Sequence, residues 1–223
     1  MNNTPLTLTT NPETQPAACR VPLAVKLGYT AFMAVLVPVY WANYGPTNFL
    51  YFCDMALFLT LAAVWTESAL AASMAAVGIV LPQLVWVADF AAGLFGVKLL
   101  GMTAYMFDER RSLFLRGLSL FHGWLPFLLL YLVKRLGYEK KAFPAWWALA
   151  WTLVLFCYAF MPGPTPNAGA EPVNINYVHG MSDTEPQSWM SPLAWLATLM
   201  AGLPALLYFP SHLALKRCFT RPT

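Results

Sequence analysis

Asn48-Phe-Leu-Tyr-Phe-Cys-Asp54-Met-Ala-Leu-Phe-Leu-Thr60 is the stretch on which the reading of this chain turns. Apart from Asn48, Asp54 and Thr60 it is apolar or aromatic, and it reads as part of a membrane-spanning helix. A carboxylate at the centre of such a helix costs roughly 2.5–3.5 kcal/mol on insertion scales, because lipid supplies no water to solvate it. Intramembrane acids therefore face the protein interior and find partners there. The partner of Asp54 is where function is sought.

Composition sets the class. Hydrophobic residues make up 59% of 223, charged residues 10%, and the mean hydropathy is +0.55. Soluble domains carry about 25% charged residues, so an all-α, polytopic transmembrane helical bundle is expected. A net charge of +3 is too small to argue for nucleic acid. Six stretches meet the roughly 20 residues that a spanning helix requires: 22–41, 48–66, 69–88, 113–133, 143–162 and 192–214. The segment 90–106 is apolar but broken by Gly93, Gly96, Lys98 and Gly101. It reads as an interfacial or re-entrant piece, with a seventh span as the alternative.

Orientation follows from the basic residues. Six spans put Arg20, Lys26, Lys134, Arg135, Lys140, Lys141, Lys216, Arg217 and Arg221 on one side, against Lys98, Arg110, Arg111 and Arg116 on the other. Both termini are therefore expected in the cytoplasm, in an inner (plasma) membrane. The loop 163–191 has no Lys or Arg and carries Glu171, Asp183 and Glu185, which suits the outer side. One domain is expected over 21–215, after a polar tail at 1–20 and before a short cytoplasmic tail at 216–223. The first tail lacks the basic start of a signal peptide. Cys19, Cys53, Cys157 and Cys218 show no metal-finger spacing, and no disulfide framework is expected.

This topology sorts the polar residues by depth. At 1.5 Å per residue, Asp54 would lie about 9 Å from the start of span two and His122 about 14 Å from the start of span four. Asp89 ends span three on the same side, as does the loop containing Asn174, Asn176, Tyr177 and His179. His212 falls near the opposite end. Each residue also has a structural reading: Asp54 held by Tyr or Asn donors, His122 by a carbonyl in the loose Ser119-Leu-Phe-His122-Gly-Trp-Leu-Pro126, Asp89 as a helix-end acid, and the loop asparagines as turn formers. Convergence on one side and one depth favours a shared site. Three chemistries suit it: nucleophilic catalysis by Cys53 or Asp54 with His122 as base, a proton or ion relay through Asp54 and His122, and a mixed metal set of Asp54, Asp89, His122 and His179. The last lacks tight local spacing, so no metal and no cofactor is expected. Tyr51, Asn176, Tyr177 and Asp89 are the candidate substrate contacts.

Leu50-Tyr-Phe-Cys53, Phe121-His122-Gly123, Asn176-Tyr177 and Tyr208-Phe-Pro210 carry a resemblance. In their order the chain resembles bacterial membrane-associated proteins of uncharacterised role. More remotely it is similar to six-helix integral membrane acyltransferases and to the androgen-induced membrane hydrolases, which cleave fatty-acid esters. The acyltransferase resemblance implies Cys53 as acyl acceptor and His122 as base. It departs where that family has a His two places before the Cys, since Tyr51 stands here, and where Asp54 replaces a small hydroxyl residue. The expectation is an enzyme acting on a lipid acyl or ester bond from an outward-facing site; a non-enzymatic scaffold or assembly factor, or a small-molecule or proton-linked carrier, is the alternative. The expected partners are the bilayer and a lipid substrate.

Overall fold

Glycine and proline set the helix boundaries. The computed structural model describes residues 21–166 and 171–219; the N-terminal tail with Cys19 and Arg20, and Arg221 near the C-terminus, lie outside the described residues. Helix α1 (Leu23–Tyr44) stops at Gly45, whose φ of 76° turns the chain, and Pro46 then opens a tight 3₁₀ turn over Pro46–Leu50. Tyr51 is extended, and α2 runs over Phe52–Thr66. Glu67, in the left-handed region, and Ser68, whose hydroxyl caps Ala71 N–H at 3.2 Å, lead into α3 (Ala69–Leu94). Lys26 on α1 bonds Glu67 at 3.0 Å and ties this turn to the first helix.

Two short helices follow the segment 95–112: α4 (Leu113–Leu118) and α5 (Phe121–Leu136). Helix α6 (Ala142–Phe160) precedes the long loop, and α7 (Pro192–Gly202) passes through a π-helical stretch, Leu203–Tyr208, into α8 (Phe209–Phe219). Helix accounts for 74% of the described residues, with no strand among them. Among the described residues, five helical stretches are long and apolar enough to cross a membrane, and α2 is a shorter apolar sixth. The protein is a multi-pass helical membrane bundle of about six spans.

Three boundaries differ from the sequence expectation. The helix of span two starts at Phe52 rather than 48, because Gly45 and Pro46 fold the preceding residues into the 3₁₀ turn. At 15 residues it is about 22 Å long, short of a hydrocarbon core of about 30 Å. Asp54 therefore lies in its first turn, where the helix dipole favours a negative charge. Span four runs as one apolar stretch over Leu113–Leu136, with a turn at Ser119–Leu120 between α4 and α5, so His122 lies just past that break. The last helix continues through Phe219, so 216–219 is helical. The segment 90–106 forms no separate span: α3 extends to Leu94, and a turn with a short 3₁₀ piece, Ala104–Phe107, follows.

Helix α3 is the axis of the bundle. Half of its most apolar window is buried, against 22–28% for the other four long stretches. It packs on α2, α5, α6 and α8. Its small residues Ala72, Ser73, Ala75, Ala76 and Gly78 let neighbours approach closely, the usual basis of helix association in lipid.

Candidate functional site

Asp54 is 3% exposed. Its Oδ2 accepts from Asn48 Nδ2 at 3.2 Å and from the Cys53 thiol at 3.8 Å. Its Oδ1 is buried and has no hydrogen-bond partner, and Asp54 makes no salt bridge among the described residues. One oxygen of a buried carboxylate thus lacks the donor that its burial demands. The hydroxyls of Tyr40, Tyr51 and Tyr105 all lie within electrostatic range of it.

The break between α4 and α5 builds the neighbouring wall. The Ser119 carbonyl accepts from His122 N at 3.3 Å and contacts His122 Nδ1 at 2.8 Å. A carbonyl only accepts, so Nδ1 carries the proton and Nε2 is left with its lone pair. The imidazole stacks on Phe121 at 4.0 Å and on Trp86 of α3 at 4.7 Å. Trp86 Nε1 donates to Tyr105 at 3.2 Å, and Tyr40 shares a 2.9 Å hydrogen bond with Ser119. Arg111 lies over the rings of Tyr44 and Tyr105 and donates to the Tyr44 hydroxyl at 3.0 Å. No hydrogen bond joins Asp54 to His122; Trp86, stacked on His122, donates to Tyr105, which lies within electrostatic range of Asp54.

Gln83, absent from the expected site, is a further buried polar group on α3. It is 2% exposed, and neither its amide nitrogen nor its oxygen has a partner. Counted along α2 and α3 from their shared turn, Asp54 and Gln83 lie within about 3 Å of the same level. Gln83 also sits one turn from Trp86 on the buried face of α3. An amide inside an apolar helix is the sequence signal that points to it.

The other expected contacts hold the scaffold. Asp89 accepts from Leu100 N (2.7 Å), Gly101 N (3.0 Å), Thr103 N (2.9 Å) and Thr103 Oγ1 (2.7 Å), which fastens the loop that carries Tyr105. Asn176 accepts from Phe52 N at 3.1 Å and donates to Leu50 O at 2.9 Å, clamping the long loop to the start of α2. Asn174, Asn176 and Tyr177 have φ of 49–59°, and the Tyr177 carbonyl receives Trp195 Nε1 at 2.8 Å. Tyr51 is the extended residue before α2. Below it Asn174 donates to Gly180 O and Ser182 O and accepts from His179 N. His179 stacks on Tyr158 at 5.0 Å, and burial lowers its pKa. Cys53 donates to Asp54 at 3.8 Å and shares no hydrogen bond with His122. No group of three His, Cys, Asp or Glu suited to a metal occurs among the described residues.

No protein-family model, no curated protein and no solved structure matches this chain.

Proposed function

We propose that the working part of this membrane protein is a binding site at Asp54 for a proton or for the donor-bearing head of a small amphiphile, an ammonium or hydroxyl group. The observation that carries this reading is the buried Oδ1 without a partner, at the level of the equally unpartnered Gln83 amide. An ionised carboxylate only accepts, and Gln83 both donates and accepts. Together they suit a ligand that offers N–H or O–H groups. This is carrier-like chemistry, in which a buried carboxylate gains and loses its counter-group as the ligand enters and leaves. Arg111, clasped by Tyr44 and Tyr105, borders the same cluster.

Replacing Asp54 by Asn removes the charge and keeps the shape. Octylamine should raise the melting temperature of the wild-type protein in lipid nanodiscs, with octanol weaker. A hydrogen bond to a charged group contributes about 1.5–3 kcal/mol, so Asp54→Asn should weaken octylamine binding roughly 10- to 100-fold and leave the fold intact. Equal binding by wild type and variant would remove Asp54 from the function.

One observation favours a second reading, cleavage or transfer of a lipid acyl or ester bond. His122 has Nδ1 fixed by a carbonyl and Nε2 free, the arrangement of a general base. A nucleophile–base pair requires hydrogen-bond reach, and the Cys53 thiol is directed to Asp54 instead. Binding at Asp54 is therefore the stronger reading.

In this reading the site opens toward the outer face of an inner (plasma) membrane, with both termini cytoplasmic. The support is the distribution of Lys and Arg, nine against four. Reporter fusions should read inside at residue 223 and outside near 175. An outside signal at 223 would reverse the orientation and turn the Asp54 site to the cytoplasm.

A further inference from the structure

Seven consecutive residues at the end of α3, Leu94-Phe-Gly-Val-Lys-Leu-Leu100, are all exposed, and five of them are large and apolar. Phe95 is 85% exposed, and none of the five falls below 51%. Phe107, on the 3₁₀ piece that follows, is exposed as well. Apart from Leu94, these residues lie outside the five spanning stretches, so the spans do not account for their exposure. Apolar surface gathered in this way marks a place of contact with protein or membrane.

The segment is firmly attached. Phe95 and Val97 N–H both bond the Ala92 carbonyl at 3.0 Å, and Gly96, with a φ of 72°, turns the chain out of the helix. Asp89 then fixes Leu100, Gly101 and Thr103, and Phe107 stacks on Phe90 at 5.6 Å. The exposed apolar side chains therefore belong to a built turn. Its place is one membrane face of the bundle: Arg111 reaches the Tyr44 hydroxyl in the last turn of α1, where Trp41 is exposed as an interfacial aromatic would be.

Charge says what covers this surface. Lys98, Arg110 and Arg111 stand against Asp108 and Glu109, and Arg110 pairs with Asp108 at 2.9 Å. A guanidinium carries five N–H donors, and Arg111 gives one of them to Tyr44. Lys98 is exposed in the middle of the apolar run. A lysine so placed lays its stem on hydrocarbon and lifts its ammonium to the headgroups. We propose that the segment 94–111 is an interfacial anchor: it sinks its apolar side chains into the hydrocarbon boundary of one leaflet and holds anionic phospholipid headgroups through Lys98 and Arg111. Interfacial elements bind by this sum of buried apolar area and attraction to anionic lipid. The assignment does not rest on the reading of Asp54.

The test uses the full chain in nanodiscs that hold one copy each. A charged maleimide labels single-cysteine substitutions, and peptide masses separate the new thiol from the native ones. Phe95→Cys and Leu99→Cys should react at least about tenfold more slowly than Glu109→Cys, because the reactive thiolate does not form in apolar surroundings. Spin-labelled phosphatidylglycerol should associate with the wild-type protein in preference to phosphatidylcholine. Lys98→Gln and Arg111→Gln should each lower that preference about fivefold, and Glu109→Gln should raise it. Should Arg111→Gln fail to fold, Lys98→Gln, at an exposed position, carries the comparison. Labelling at Phe95→Cys and Leu99→Cys as fast as at Glu109→Cys would put the segment in water and overturn the proposal. So would protection that appears only in protein-crowded liposomes, since a second copy would then be the cover. A preference for phosphatidylglycerol that is absent, or that Lys98→Gln leaves unchanged, would overturn the headgroup contact.

Discussion

Gly78→Ala should lower the melting temperature of the protein more than any other single methyl addition to α3. The added Cβ would fall 2.0 Å from Trp146 Cε2 and 2.2 Å from Cζ2, inside the van der Waals radius of a rigid ring. Two effects oppose each other. Removing a mid-helix glycine favours the helix by about 1 kcal/mol. Overpacking a filled core costs about 1–3 kcal/mol and occasionally more. Trp146 is fully buried between Phe52 and Tyr208 and cannot swing away, so the second effect wins. Combining Gly78→Ala with Trp146→Phe removes the atoms that clash and should recover part of the loss, as contacting residues couple. If Gly78→Ala melts at or above the wild-type temperature, Trp146 does not lie where its contacts place it.

Asp89→Ala should release the segment that holds Tyr105. It removes the acceptor of four donors at once, at 2.7–3.0 Å. Hydrogen bonds to a charged group contribute about 1.5–3 kcal/mol each, and donors left buried add a desolvation penalty. The loss should be local, because the loop spans only Leu100 to Thr103. Amide hydrogen exchange at Leu100, Gly101 and Thr103 should accelerate by at least about 100-fold, while α3 keeps its protection. Asp89→Asn should be nearly as damaging, since its NH₂ would face donors of Thr103 or of Leu100 and Gly101. Unchanged exchange in both variants would show that Asp89 does not hold the loop and would return it to the list of ligand contacts.

Membrane class, helix count and the approximate span positions were legible in the sequence because they follow from apolar length, and a 20-residue run leaves few alternatives. What escaped is how glycine, proline and serine subdivide a span. The run 48–66 looks uniform in hydropathy, yet Gly45 and Pro46 delay the helix to Phe52 and move Asp54 into a first turn. Ser119 and Gly117 break span four in the same way. Pro204 and Pro210 flank a π stretch that no hydrophobic pattern reveals.

The site was legible in part. Asp54 and His122 stood out as polar groups in apolar spans; the contacts around them, to Tyr40, Trp86, Tyr105 and Ser119, did not. Asn176 and Asp89 stood out in the sequence as polar groups in apolar surroundings. Their hydrogen bonds run to backbone N–H and C=O groups many residues away, which depth alone does not disclose. Gln83 stayed outside the expected site because an uncharged amide costs less than a carboxylate to bury and so signals less.

The most direct test of Asp54 as a ligand site is the infrared carboxyl spectrum of the protein in nanodiscs, recorded with and without octylamine. The wild-type difference spectrum should contain a carboxyl band that shifts on addition of the amine, because the free Oδ1 gains its missing partner. The same band should be absent from Asp54→Asn, with the amide bands of the two proteins alike. A spectrum in which octylamine leaves every carboxyl band of the wild-type protein unmoved would contradict the assignment.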